Sequence, residues 1–323
     1  MLPVRNGVGP SSVGLTPGPW PRVVDFLCAR FPAVEPAEWA RRLAAGDVVD
    51  DAGRTVRADQ PYAPHGKLHY YRTLPPEPRV ADDEQVLFED DWLVVADKPH
   101  FLPVTPGGRY LQETLLVRLR RRLGLDALAP LHRIDREAAG LVLFAKQPAT
   151  RALYEALFAQ RLVHKVYEAI APWRPDLAFP LTRANRIGAA AHFMQMRELP
   201  DGADPTADPT ADPAVDPAAN PAAPADCPNA ITHLDCLEVR GAWARYRLQP
   251  VTGQRHQLRV HMAALGLPLC GDRIYPALAP QGSDLPGDPL RLLARQIGFS
   301  DPVSGQQRLF QSRRALAFPS STG

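Results

Sequence analysis

Apolar residues change their spacing repeatedly along this chain, and each change marks an element. After a Gly/Pro/Ser-rich opening at residues 1–20, Val24, Leu27 and Cys28 share one face of a short helix that Phe31-Pro32 ends. Pro36-Ala37-Glu38-Trp39 opens a second helix, which Gly46 closes. Val48-Val49, the turn Asp51-Ala52-Gly53 and Arg54-Thr55-Val56 read as a hairpin, and residues 68–71 add a strand. Leu74-Pro75-Pro76-Glu77-Pro78 is a stiff linker and a natural boundary. Short apolar strands follow at residues 86–88, 92–96 and 141–145. Helical faces are carried by Leu111, Leu115, Leu116 and Leu119, and by Leu153, Ala156 and Leu157. Residues 165–170, 231–239 and 243–248 are strand-like. Thr252-Gly253 then starts a helix in which Leu258, Met262 and Leu265 share a face and Gly266 is the stop.

One stretch breaks the pattern. Residues 201–226 repeat Ala-Asp-Pro every four residues at Ala203, Ala207 and Ala211. Proline at that density blocks helix and sheet ladders, and the segment has too little apolar area to offset its ordering entropy. It is expected to be a disordered insertion within one domain. The expected organisation is a flexible tail (1–20), a small module (21–76), a large domain (80–315) and a second tail (316–323).

Composition changes this picture in one respect. The 323 residues carry a net charge of only +2, but the insertion holds six aspartates and no Lys or Arg, so the remainder stands at +8. That sign suits a polyanionic partner. The four cysteines, Cys28, Cys227, Cys236 and Cys270, form no C-x-x-C pair, and no metal site is expected. No signal peptide is legible, and no apolar run approaches ~18 residues, so a cytoplasmic protein without a membrane span is expected.

The chemistry concentrates in Leu131-His132-Arg133-Ile134-Asp135-Arg136-Glu137-Ala138-Ala139-Gly140, a loop just before an apolar strand. Asp135 lies between two guanidinium groups in sequence. Nearby positive charge keeps a carboxylate ionised, and an ionised, oriented carboxylate can act as a nucleophile. Taken alone, the same residues also fit an ordinary Arg–Asp network at a loop corner.

Residues 132–136 resemble the H-R-L-D-R signature of the RluA-type RNA pseudouridine synthases. Four further segments agree in order. Asp97-Lys98-Pro99 resembles the early D-K-P, and Lys165-Val166-Tyr167-Glu168-Ala169 the K-x-Y-x-A strand. Residues 252–261, reading TGQRHQLRVH, resemble T-G-R-x-H-Q-I-R-V-H. Gly271-Asp272-Arg273-Ile274-Tyr275 matches the following G-D-x-x-Y. The resemblance spans about residues 86–310. It departs from the family at Ala138-Ala139, where a Thr-Ser pair is common, at His100-Phe101, where a glycine often follows D-K-P, and at Gln254.

The resemblance implies an α+β fold with a mixed, largely antiparallel central sheet, flanking helices and a catalytic cleft. The N-terminal module loosely resembles an S4-like α/β RNA-binding unit. The implied activity is isomerisation of specific uridines in structured RNA, 23S rRNA or tRNA, after the base is flipped out of its stack. No cofactor is needed, and a monomer is expected. Asp135 would be the nucleophile. Tyr167 would stack on the flipped base or take its C5 proton. Arg255 would pair with Asp135, with Thr252 as N-cap placing it in the first helical turn. Arg133, Arg136, His132, Lys165, His256 and Arg259 are the expected RNA contacts. The rival reading from another class is an RNA-binding or ribosome-assembly protein that has lost catalysis. The presence of Asp135, Tyr167 and Arg255 argues against it.

Overall fold

The structure is a computed structural model that describes residues 2–72, 76–200, 227–280 and 287–319. The expected insertion at 201–226 lies outside the described residues. The chain divides into two compact units.

The first unit runs to Pro78 and takes in Pro106–Glu113 and Val117–Asp126. Helices α1 (Val23–Arg30) and α2 (Pro36–Ala44) pack over a three-stranded sheet of β1 (Ser11–Gly14), β2 (Val48–Asp50) and β3 (Lys67–Tyr70), in the order β1-β3-β2. Residues 1–20 are therefore not a free tail. β1 pairs with β3 from Ser11↔Tyr70 to Gly14↔Lys67, Val13 is buried, and Trp20 packs edge-on against Phe26. A strand with one inward apolar side chain leaves no periodic trace in the sequence. In α1 the core face is Val23, Phe26 and Leu27, one step round from the expected face. Residues 106–113 and 117–126 also depart from the expected boundary at 76–80. The Glu77 carboxylate accepts the backbone N–H groups of Leu111, Gln112 and Glu113, and Val8 packs with Leu111 and Val117. Most of α3 (Leu115–Leu123) thus groups with the N-terminal unit.

The second unit is built on one large sheet. Its strands are β4 (Gln85–Glu89), β5 (Leu93–Lys98), β6 (Ala129–Pro130), β7 (Ala139–Ala145), β8 (His164–Pro172), β9 (Leu181–Ala189), β10 (Met196–Leu199), β11 (Ala230–Arg240), β12 (Trp243–Pro250), β13 (Leu292–Ser300) and β14 (Gln307–Gln311). The order is β10-β9-β11-β12-β8-β13-β7-β5-β4, with β14 on β13 and β6 on β7. Every pairing is antiparallel except β13 with β7, so the sheet is mixed and mostly antiparallel, an α+β arrangement. β5 and β7 are buried along their whole length and apolar except at Asp97 and Lys98, as suits strands covered on both faces. The helix α4 (Pro148–Ala159) packs on β7, and α5 (Gln257–Ala264) packs on β10 and β11.

Two features bring the site together. β13 enters between β7 and β8, although it follows both by more than a hundred residues. At the start of β7, Gly140 adopts φ +111°, and a β-carbon there would sit 2.3 Å from the carbonyl oxygen of Ala294 on β13. Only glycine permits this approach. The C-terminal stretch is also anchored where a frayed tail was expected. Leu316 is buried against Ala139, Ile170 and Leu293, and its carbonyl accepts from Arg245.

Gly140→Ala should lower the stability of this protein by about 3 kcal/mol, through strained φ and forced separation of β7 from β13. Urea unfolding measures it, and an unchanged midpoint would show that β13 can retreat without cost.

Candidate active site

Asp135 closes the loop that leads from β6 into β7, where the Ala138 N–H donates to its carbonyl. Its carboxylate faces α5. Arg259 Nη1 donates to Asp135 Oδ2 at 3.0 Å, and His256 Nε2 stands 3.9 Å from Oδ1. Burial alone would push the Asp135 carboxyl up, but the charges of His256 and Arg259 and the Arg259 hydrogen bond outweigh it. The net shift is below the ordinary carboxylate range. The group is ionised at neutral pH.

Arg259, not Arg255, makes this bond. The expected N-cap at Thr252 is not one. The Thr252 hydroxyl accepts the Ile231 N–H and donates to Gln257 Oε1, and the chain stays a loop until His256 at φ +55°. The helix begins at Gln257, later than the sequence pattern suggests. Arg255 is left exposed, contributing to Asp135 only as a charge at a distance, and Arg259 is carried into the interior.

A buried guanidinium needs its own anions. Asp272 supplies them with two parallel bonds, Nε to Oδ2 at 2.8 Å and Nη2 to Oδ1 at 2.6 Å. Asp272 is in turn fixed by the N–H groups of Ile274 and Tyr275. Burial lowers the Arg259 pKa, but Asp272 and Asp135 raise it further, so it remains charged. The Tyr275 ring lies 5.4 Å from the guanidinium, and its hydroxyl is 3.1 Å from His256 Nδ1. Arg259 was expected to contact RNA; its donors are instead engaged inside the protein. Asp272 carried no assigned role in the sequence, although its place in a G-D-x-x-Y segment was a signal.

Tyr167 sits on β8, paired with Leu248 of β12 and Ala294 of β13, and packs against the core cluster that includes Leu258 and Met262. Burial and then the negative charge of Asp135 push its phenol well above the ordinary tyrosine range. It stays protonated in the resting site and within electrostatic reach of Asp135.

The other sequence-derived positions divide. His132 is buried, stacks on Phe158 at 5.0 Å, and its Nε2 accepts the Leu143 N–H, which makes it a core residue rather than an RNA contact. Burial, and then the Lys165 charge, lower its pKa to about 3, so it is neutral. Arg133 is exposed. Arg136 is half-buried, with Nε on Glu137 Oε1 at 3.0 Å. The Lys165 ammonium lies against the loop at Gly253. His256 is held between Asp135 and Tyr275. Burial lowers its pKa more than Asp135 raises it.

The backbone behind Asp135 is fixed by a second buried cation. Lys98 Nζ donates to the carbonyls of Pro99 (2.9 Å), Leu102 (2.8 Å), Arg136 (3.1 Å) and Ala138 (2.6 Å). Burial pulls its pKa down to about 7, opposed by Glu137 and Asp135. A neutral amine has two N–H groups and an ammonium three, so four acceptors select the charged form. The preceding Asp97 is buried and accepts from Ser312 Oγ and the Arg313 N–H.

An ionised carboxylate bonded to a buried arginine, with a half-buried phenol within its electrostatic reach, is the equipment of a nucleophilic site. The profile of the family described as RNA pseudouridylate synthase matches residues 92–264, which contain Asp135, Tyr167 and Arg259. The chain belongs to that family. It is an isomerase that converts uridine to pseudouridine in RNA. An uncharacterised RNA pseudouridine synthase of Chloroflexus aurantiacus is 30% identical over 90% of this chain and 85% of its own. The ribosomal large subunit pseudouridine synthase D of Zymomonas mobilis is 29% identical over 82% of this chain and 81% of its own. The solved structure of human RNA pseudouridylate synthase domain containing 4 is similar at 25% identity and TM-score 0.53, covering 72% of this chain and 88% of its own.

Two substitutions separate the arginines. Arg259→Lys keeps the charge but cannot serve both carboxylates, and kcat/KM should fall about a hundredfold. Arg255→Ala should lower it about tenfold or less and through KM, as expected of an exposed charge with no bond to Asp135. Equal effects in a pseudouridine assay would contradict the assignment. Lys98→Met should cost about 3 kcal/mol or more by orphaning buried carbonyls, read as a lower denaturation midpoint.

Proposed function

We propose that Asp135 is the nucleophile of the uridine isomerisation, with Arg259 as the positioning residue that holds its carboxylate. The observation that carries this reading is the 3.0 Å bond from Arg259 to an ionised Asp135, with Arg259 itself clamped by Asp272. The reaction breaks the N1–C1′ bond of uridine, turns the base and forms a C5–C1′ bond. N1 gains a proton and C5 loses one, with no net redox change. Attack at C1′ and attack on the uracil ring both begin from this carboxylate. Its Arg259 partner keeps the orientation fixed while the base arrives.

The protonated phenol of Tyr167 supports stacking on the flipped base and hydrogen bonding to it, rather than proton abstraction by a resting phenolate. Arg133 and Arg255, both exposed, are the proposed phosphate contacts, with Lys165 beside the 252–256 loop. In the N-terminal unit, Arg41 and Arg42 are both bound by Glu38, and Arg42 lies over Trp39. That supports packing rather than phosphate binding for this part of the S4-like unit. No helix among the described residues is long and apolar enough to cross a membrane. Four free cysteines support a reducing, cytoplasmic setting.

The name of the Zymomonas relative makes large-subunit ribosomal RNA the first substrate to examine, with tRNA as the alternative. Pseudouridines should be mapped in total RNA from cells with the gene, without it, and with Asp135→Asn. A position lost on deletion should stay lost with Asp135→Asn, while that variant binds RNA within about threefold of wild type. Restoration of the position by Asp135→Asn would exclude Asp135 as nucleophile. Wild-type protein that binds RNA but modifies no position would favour the assembly-protein reading.

A further inference from the structure

The turn after β5 holds an aromatic residue in a conformation that suits glycine. Phe101 has φ +65°, in the left-handed region that a bulky side chain rarely occupies. The turn is pinned on both sides. Lys98 Nζ takes the carbonyls of Pro99 and Leu102, and the His100 ring Nδ1 is 2.6 Å from the Glu137 carbonyl. Strain of this kind persists only where the surroundings impose it, and it gathers where a side chain is used.

The same bonds place the turn against the catalytic loop, since Lys98 also holds the carbonyls of Arg136 and Ala138. The Arg136 guanidinium lies 5.9 Å from the centroid of the Phe101 ring, and the His100 ring centroid is 6.3 Å from it. Phe101 is only half-buried. A partly exposed ring, with a guanidinium at its side, thus stands beside the residue that directly follows Asp135.

We propose that Phe101, backed by Arg136, is a stacking platform for the nucleobase adjacent to the target uridine. This rests on the reading of Asp135 as a nucleophile acting on RNA. Flipping a uridine out of its stack uncovers the faces of its neighbours. Any base can stack on an aromatic ring, and a guanidinium at the ring strengthens the site for a nucleic acid. The platform therefore binds without selecting sequence, and it engages when the target leaves its stack.

Phe101→Gly separates this role from packing, because glycine relieves the backbone strain while removing the ring. Purified protein is assayed on total RNA from the deletion strain, following pseudouridine formation against RNA concentration. The expected result is an unchanged or higher melting temperature with kcat/KM down roughly tenfold or more, mostly through KM. Phe101→Leu should lose as much, and Phe101→Tyr should recover most of it. Wild-type kcat/KM in Phe101→Gly or Phe101→Leu overturns the platform, and so does a melting temperature several degrees lower in Phe101→Gly. Asp135→Asn distinguishes the two failures. If it is inactive while Phe101→Gly is normal, only the platform fails. If it is active, or if wild-type protein modifies nothing, the reading of the site fails and takes the platform with it.

Discussion

The arrangement of the active site depends on one buried cation. Arg259 reaches the interior on a helix whose residues 257–262 are all buried, and it stands between Asp272 and Asp135. Taking a guanidinium out of water is unfavourable by several kcal/mol unless its charge and donors are met. Asp272 meets most of that demand with two parallel bonds, and the remaining Nη1 is directed at Asp135. Asp135 is therefore held by a group that is itself fixed by two further bonds. Lys98 applies the same rule to the backbone: a buried ammonium draws four carbonyls together and shapes the loop that presents Asp135.

Polar groups elsewhere in α5 follow this logic. Gln257 Nε2 donates to the Ile231 carbonyl and Thr232 Oγ, and His261 spans Thr232 and Asn185. A helix carrying Gln, Arg and His at buried positions is secured by specific partners on β9 and β11 as well as by apolar contact. Its register is consequently well defined, which is what a carboxylate held at 3.0 Å requires.

Much of this was legible in the sequence. The apolar runs that became β5 and β7 announced a buried sheet, and the ordered motifs identified Asp135 and Tyr167 as candidates for the site. Arg255 was chosen over Arg259 because a Thr before a helical pattern looks like a cap. The side chain of Thr252 turned instead to Ile231 and Gln257, partners whose proximity only the tertiary fold creates. His132 looked like a basic residue in a basic loop, and its burial depends on Phe158 from α4. β1 leaves no trace because one apolar residue in four carries no period, and the place of β13 is hidden because β7 and β8, between which it inserts, are distant in sequence.

The position of β13 has a consequence for how the protein comes into being. The early strands β4, β5 and β7 carry the Asp135 loop, while β8 through β12 and α5 carry Tyr167 and Arg259. These two parts of the sheet share no strand pairing of their own and are joined by a strand made after both. On the ribosome, each part must wait with an open edge until residues 292–300 have emerged. The Asp135–Arg259 pair is thus assembled only after that strand is made, and long-range closure of this kind is slow. A nascent chain lacking that strand would hold every motif identified in the sequence and still have no active site.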